Sequence, residues 1–174
     1  MHFSVKKLFF LLTSISAINA HDSSSHYHSP SNDIRCPKGS HISFVHNSFT
    51  FDAPLHKFTH VVKSFFDITW YGGLPTTAMT GTDNVPGATR FGPVDKHNSF
   101  NETLTMYSLT EDALTYTYHG IKFTYALPGF NHSPAHIDAY AETMRFESIC
   151  AGRATYIDLL TYICSNDTAT AYNA

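Results

Sequence analysis

The residues that could do chemistry in this sequence are an arginine and a glutamate, Arg90 and Glu102. Arg90 follows the run 81–89, GTDNVPGAT, in which the pairs DN and PG are typical of turns. Glu102 lies in residues 100–106, where apolar and polar side chains alternate as they do in a strand. The pattern predicts that a loop delivers Arg90 onto one strand and that Glu102 lies on the next.

This pair suits two quite different roles. An ionised carboxylate among apolar side chains is costly unless a cation pairs with it, so Glu102 should either face Arg90 or have a raised pKa. A carboxylic acid of raised pKa can move protons at a carbon next to a carbonyl, and an arginine can hold an enolate oxygen, which suits aldol-type or lactone-forming ring closure. The alternative is an exposed cross-strand ion pair, which contributes under about 1 kcal/mol.

The composition excludes several classes of protein. Aromatic residues and charged residues each make up 14% of the 174 residues, and the net charge is −3. So many aromatic residues argue against a disordered chain, and the absence of a basic cluster argues against nucleic-acid binding. The 12 histidines show no recognised metal-ligand spacing, and no phosphate loop or nucleophile motif occurs. We therefore expect no metal and no cofactor.

The first 20 residues have the form of a secretory signal peptide. Lys6 and Lys7 precede an apolar region over 8–18, and cleavage after Ala20 would leave His21 as the first mature residue. The apolar run is too short and too interrupted to span a bilayer. We expect a secreted, extracellular protein without a membrane span.

Residues 21–40 are rich in Ser, His, Pro and Asn and are interpreted as a flexible leader, and 165–174 as a disordered tail. Three sequons are candidate glycosylation sites that agree with export: Asn101, Asn131 and Asn166.

Between these segments, residues 41–164 are predicted to form one domain. A first strand runs to about residue 51, and apolar residues at helical spacing then predict a helix over 54–66, with Asp52 or Ala53 at its cap. From Ala88 onward, short alternating runs separated by turn signals predict strands. The order of one strand, a helix and a long meander predicts an antiparallel sheet that is strongly curved or closed.

These motifs resemble those of the Bet v 1-like (START/SRPBCC) superfamily, which includes polyketide cyclases. The resemblance covers about residues 42–164, and the chain looks like a small, secreted, fungal-type member. It rests on the sequence DAP at 52–54, the helix, Trp70, the run PGATR at 86–90 and ETL at 102–104.

The resemblance implies an α+β helix-grip fold, in which a curved antiparallel sheet with one or two short helices after the first strand encloses a cavity for apolar small molecules. The family's long C-terminal helix has no counterpart after Cys164 and is apparently absent. A second copy of the chain could then cover the open face of the sheet, because large apolar patches rarely stay exposed.

The resemblance also implies which side chains line the cavity. It turns Arg90 and Glu102 inward, and it places the face of the later strand that carries Tyr140 and Glu142 inward too. The candidate catalytic residues are Arg90, Glu102 and Glu142. The candidate ligand-binding residues are Trp70, Asp83, Arg90, Glu102, Tyr118, Tyr140 and Asp158. For Trp70 and the tyrosines, packing in the core or at its rim is the alternative, and for Asp158 the opposite face of its strand, with Ile157 and Leu159, is the more apolar one.

Three functions remain open on this basis. The first is a secreted binding protein for a lipid-like or polyketide-like small molecule. The second is a polyketide cyclase-like enzyme that closes a ring by acid–base catalysis. The third is a secreted host- or surface-interaction protein without a ligand.

The sequence has three cysteines, so one disulfide is expected in an exported chain. Cys150 and Cys164 lie on one hairpin but about 30 Å apart, because strands rise roughly 3.3 Å per residue. The topology implied by the resemblance pairs the first and last strands, which brings Cys36 to Cys164 and leaves Cys150 free.

Overall fold

The computed structural model describes residues 34–71, 73–96, 98–125 and 135–166. Over these residues the chain forms seven strands and one short helix. In chain order they are β1 (His41–Phe51), α1 (Leu55–Val62), β2 (Ala78–Thr80), β3 (Thr89–Pro93), β4 (Ser99–Leu109), β5 (Ala113–Tyr125), β6 (Ala135–Ile149) and β7 (Ala154–Ser165).

The strands form one open, curved antiparallel sheet in the order β1-β7-β6-β5-β4-β3-β2. From β2 to β7 each strand pairs with the next one in the chain, and β1 pairs with β7. The sheet is therefore a meander whose last strand returns to the first, as predicted. The three-residue strand β2 was not predicted, because it has too few residues for an alternating pattern.

The two faces of the sheet have different contents. The face that carries α1, here called the inner face, holds the main apolar core, whose fully buried members include Phe65, Leu104 and Leu114. The opposite, outer face carries the Thr117–Thr143 hydroxyl pair and a small cluster of Ile34, Ala141 and Cys164. Because successive strand residues point to opposite sides, the register decides which chemical groups share the inner face.

The helix is shorter than the sequence predicts. It ends at Val62, and Pro54 is its N-cap, so the expected helix over 54–66 and the expected cap at Asp52 or Ala53 are wrong. The backbone N–H groups of Phe65 and Phe66 donate to the side chains of Asn84 and Asp83, at 2.9 and 3.1 Å. These side chains satisfy donors that a longer helix would have bonded internally, so the chain leaves the helix.

The predicted disulfide is confirmed: Cys36 is bonded to Cys164, and Cys150 is free and exposed. Ile34 is buried on the outer face beside Cys164. The Ser40 hydroxyl donates to the Asp138 carboxylate. Residues 34–40, which the sequence assigns to the leader, thus pack against the sheet, and the packed part of the chain includes Ile34.

No long helix follows β7 within residues 135–166. Two aromatic side chains on the inner face of β1, Phe49 and Phe51, are 47% and 45% exposed, as expected of a sheet with no such helix covering its inner face. Within the described ranges, no helix is long and apolar enough to cross a membrane.

Candidate functional site

Arg90 is the most deeply buried charged residue of the described chain, at 2% exposure. It lies on β3 directly opposite Glu102 on β4, and its Nε donates to Glu102 Oε2 at 2.5 Å. Its Nη1 donates to the Phe65 carbonyl at 2.6 Å, and the guanidinium lies over the rings of Phe65 and Tyr118, 4.3 and 4.9 Å from their centroids. The exposed-edge interpretation of this pair is therefore excluded.

The surroundings of Arg90 keep it charged. Burial alone lowers the pKa of Arg90, but the charge of Glu102 and then the nearby phenol of Tyr118 raise it, and the net pKa is above its ordinary value. A buried cation without a partner would be costly. Here the carboxylate, the carbonyl and two ring faces replace the water that Arg90 has lost.

The second carboxylate oxygen of Glu102 also accepts a hydrogen bond. Its Oε1 accepts a hydrogen bond of 2.7 Å from the hydroxyl of Tyr140, which lies two strands away on β6. The intervening strand β5 has Gly120 between them, and a Cβ there would lie 2.1 Å from the Tyr140 ring. Glycine at this position therefore lets the Tyr140 ring lie over β5 and reach Glu102.

The loop before Arg90 is fastened to the segment after α1. Asp83 accepts from the Ser64 hydroxyl at 2.7 Å and from the Phe66 N–H, and Asn84 donates to the Lys63 carbonyl at 2.9 Å. Asp83 was predicted to bind a ligand. In the structure it instead holds the backbone around Phe65, whose carbonyl accepts from Arg90. The loop therefore helps to fix the groups that surround Arg90.

Glu142 is the second carboxylate of the inner face, and its situation differs. It lies on β6, only partly buried, and accepts from Tyr118 Oη at 2.7 Å and from Thr161 Oγ1 at 2.9 Å. Burial raises the pKa of Glu142 above its ordinary value, and the hydrogen bonds only partly offset this. The charge of Glu102 raises the pKa of Glu142 further, and the charge of Arg90 lowers it by a smaller effect than burial, so the net pKa is above its ordinary value.

Tyrosines surround both carboxylates. Burial, then the charge of Glu142, raises the pKa of Tyr118, and burial, then the charge of Glu102, raises that of Tyr140. Both phenols therefore stay protonated and donate. Tyr71 is 55% exposed, and burial of its phenol, then the charges of Glu142 and Glu102, raise its pKa.

The remaining predicted ligand residues divide between the two faces. Trp70 is partly buried against the inner core, and its indole N–H is buried without a hydrogen-bond partner. Asp158 lies on the outer face, where its Oδ1 contacts His46 Nε2 at 2.5 Å. Its assignment to the cavity is therefore wrong. The inner face of β7 is the odd-numbered one that carries Ile157, Leu159 and Ile163, so Asp158 points away.

Sequence reasoning missed several contributors to the site. Phe65 acts through a backbone carbonyl, which no side-chain pattern reveals. Thr161 could have been found, because period two on β7 places it beside Ile157 and Leu159. Gly120 could have been found as a glycine inside a strand, which signals a close approach.

The asparagines of two of the three sequons lie among the described residues. Asn101 and Asn166 are exposed, whereas Asn131 lies outside the described residues. Asn101 points outward beside the inward Glu102, as strand alternation requires. Across the described ranges, no three side chains of His, Cys, Asp or Glu gather closely enough to hold a metal ion.

Comparisons with known proteins bear on the fold. No protein-family model matches the sequence, and no curated protein matches it. A structural-genomics protein from Nitrosospira multiformis has a similar structure, with a TM-score of 0.54 and 18% identity over 75% of this chain and 84% of that one.

Two further solved structures are more distant. Ara h 8.0201 has a TM-score of 0.46 and 13% identity over 71% of this chain and 77% of its own. Norcoclaurine synthase from Thalictrum flavum, solved with dopamine and hydroxybenzaldehyde, has a TM-score of 0.48 and 11% identity over 92% of this chain and 81% of its own. The strand order, with one helix between β1 and β2 and β1 paired to β7, is the one that the sequence resemblance implied.

The fold is Bet v 1-like. Likenesses at these identities carry information about the fold and none about ligands or chemistry. The function of this chain has to be argued from its own inner face.

Removing the charge of Glu102 should strongly destabilise the protein. Glu102→Gln would leave the Arg90 guanidinium buried without a counter-charge, so we expect the free energy of unfolding to fall by about 3 kcal/mol or more. Chemical denaturation measures this value. Glu147→Gln is the matched control, because Glu147 pairs with Arg145 at 3.1 Å on the surface and its loss should cost under about 1 kcal/mol. An equal loss of unfolding free energy in the two variants would contradict a stabilising role for the buried Arg90–Glu102 pair.

Glu142 should make stability depend on pH. Its folded-state pKa is raised, so the folded protein binds this proton more tightly than the unfolded chain does. Stability from this group is therefore complete below the ordinary carboxyl pKa of 4.5 and is lost as pH rises through the folded value. We expect chemical denaturation from acid to neutral pH to show that the unfolding free energy of Glu142→Gln rises relative to that of wild type as pH rises. A constant difference would refute the raised pKa.

Proposed function

We propose that this protein binds an apolar small molecule on the inner face of its sheet. The observation that carries the proposal is Glu142, a partly buried carboxyl of raised pKa among the aromatic and aliphatic side chains of the inner face. Natural binding sites for small molecules have this character, in which apolar surface supplies affinity and a few polar groups fix orientation.

Arg90 and Glu102 are structural in this proposal. The Arg90 guanidinium is covered by two rings and bonded to Glu102 and to the Phe65 carbonyl, and each oxygen of Glu102 has a donor. A ligand would have to break buried charge-assisted hydrogen bonds to use either residue. Arg90 and Glu102 therefore contribute to the site by holding the inner face in place.

Glu142 supplies the polar handle instead. Tyr118 and Thr161 fix its orientation, and its carboxyl is the inner-face charge that no cation pairs with in the described chain. When protonated, it can donate a hydrogen bond to a ligand carbonyl, and when ionised it can accept one from a hydroxyl. A molecule with an apolar body and one oxygenated group fits this set.

Export is part of the proposal. The amino-terminal sequence has the form of a signal peptide, and the Cys36–Cys164 disulfide is compatible with an oxidising compartment. A binding protein that acts outside the cell would carry or sequester its ligand there.

A pair of adjacent leucines tests the binding site. Leu159 packs on the inner face, and Leu160, also partly buried, points to the outer face of the same strand. With the neutral fluorescent probe N-phenyl-1-naphthylamine, we expect wild type and Leu160→Glu to bind and Leu159→Glu to lose at least about tenfold in affinity, because the probe would meet a charge. Fluorescence titration measures the affinity, and circular dichroism checks that both variants fold.

The same titration can contradict the proposal. If the probe binds Leu159→Glu as well as wild type, the inner face is not the site. If wild type binds no probe and native mass spectrometry of the secreted protein shows no co-purified molecule, the proposal fails. An interaction protein without a ligand is then the better account.

Acid–base catalysis is the second candidate, and the raised pKa of Glu142 favours it. A carboxyl poised nearer neutrality can exchange protons at a carbon next to a carbonyl, the elementary step of a polyketide cyclase. The probe is 2-decanone in D₂O, with deuterium uptake next to its carbonyl followed by NMR. We expect wild type to accelerate uptake and Glu142→Gln to lose the acceleration while still binding N-phenyl-1-naphthylamine. Equal uptake with and without protein would leave binding as the function.

A further inference from the structure

Strand β1 is an edge of the sheet that lacks the usual protection against pairing. It is 11 residues long, and β7 is its neighbour on one side only. Its sequence, HISFVHNSFTF, contains no Lys, Arg, Asp, Glu or Pro. Native proteins normally protect an edge with charges, proline or a very short strand, and the opposite edge β2 has only three residues. The described residues therefore leave open one long edge without Lys, Arg, Asp, Glu or Pro.

Strand β1 exposes large apolar side chains on both faces. Ile42 and Phe44 are 54% and 57% exposed on the outer face, and Phe49 and Phe51 are 47% and 45% exposed on the inner face. Single exposed apolar residues are common, but four along one unpaired strand indicate an interaction surface.

We propose that β1 pairs antiparallel with β1 of a second copy of this chain, across a two-fold axis at His46. Residues that face each other in antiparallel strands must share a face, so the centre of a self-pairing lies on one residue. Centring on His46 places residue 41 opposite 51 and uses all 11 residues of the strand. Other centres leave one end unpaired.

The strand is also its own complement in this register. On the outer face, Phe44 lies opposite Ser48 of the second copy and Ile42 lies opposite Thr50. On the inner face, Phe49 lies opposite Ser43. Three of the four exposed large apolar residues thus meet a small polar one, and the fourth, Phe51, meets His41. No two bulky apolar side chains oppose each other, and the two His46 residues face each other at the axis.

The size of this contact suits a dimer. Aromatic side chains bury roughly 150–250 Å² each. Three phenylalanines per copy are about half exposed, so the two copies together supply on the order of 500 Å² of apolar area. The paired backbones add to this, which brings the interface to the order of 1,000 Å² that specific contacts need. The two inner faces would then lie side by side in one continuous sheet. The second copy expected from the sequence is placed here at the edge rather than over the open face.

His46 at the axis is compatible with close approach. Its Nε2 contacts Asp158 Oδ1 on the neighbouring strand at 2.5 Å, so the ring is directed back over its own sheet. The space between the two copies at the axis is then left for the backbones.

Cysteine cross-linking in the full chain tests the register. In a Cys150→Ser background, which removes the free thiol, His46→Cys places two thiols on the axis with Cα atoms about 4.5–5.5 Å apart, within disulfide range. Ser48→Cys is the control, since its two copies would lie about 14 Å apart along the strands. We expect a covalent dimer on oxidation for His46→Cys and none for Ser48→Cys.

A charge placed on the edge tests the interface separately. Phe44→Lys should raise the dimer dissociation constant at least about tenfold, because lysine is a device that blocks edge pairing. Ile121→Lys is the matched control, at 56% exposure on β5 within the sheet. Sedimentation velocity over a range of concentrations measures both. A monomeric wild type, a dimer insensitive to Phe44→Lys, or cross-linking of Ser48→Cys equal to that of His46→Cys would each overturn the proposal.

Discussion

The architecture of the inner face follows from one constraint, the burial of a permanent positive charge. An arginine removed from water must be given a counter-charge, hydrogen-bond acceptors and polarisable surface. Arg90 takes these from a strand neighbour, from the backbone carbonyl after α1 and from two aromatic rings. Strand β4, the end of the helix and strand β5 are thereby tied to one guanidinium, and the Asp83–Asn84 loop holds that carbonyl in place.

The same constraint separates the roles of two carboxylates that look alike in sequence. Both oxygens of Glu102 are occupied, one by Arg90 and one by Tyr140, so its role is structural. Glu142 faces hydroxyl donors instead of a cation, and burial then raises its pKa. Environment rather than residue type decides which group is available for a ligand or a proton. The chemistry that we propose for this chain therefore rests on Glu142.

Features governed by local alternation were predictable from the sequence, and features governed by distant partners were not. The strands, the Arg90–Glu102 pairing and the disulfide follow from period-two patterns and the topology that the resemblance implied. The end of α1 could not be predicted, because side chains about twenty residues later take the backbone donors of Phe65 and Phe66. Asp158 was misplaced because a carboxylate was favoured over the apolar pattern of its own strand. That pattern was the better guide.

The pairing of β1 with β7 has a consequence for the order in which the chain is made. A ribosome delivers β1 first, and its partner is the last strand of the sheet, with a sequence separation of 128 between the two cysteines that join them. Domains are synthesised from the amino terminus at roughly 5–20 residues per second, so β1 waits several seconds with its apolar side chains unpaired. The Cys36–Cys164 bond, which ties the segment before β1 to β7, can therefore form only after the last strand has been made.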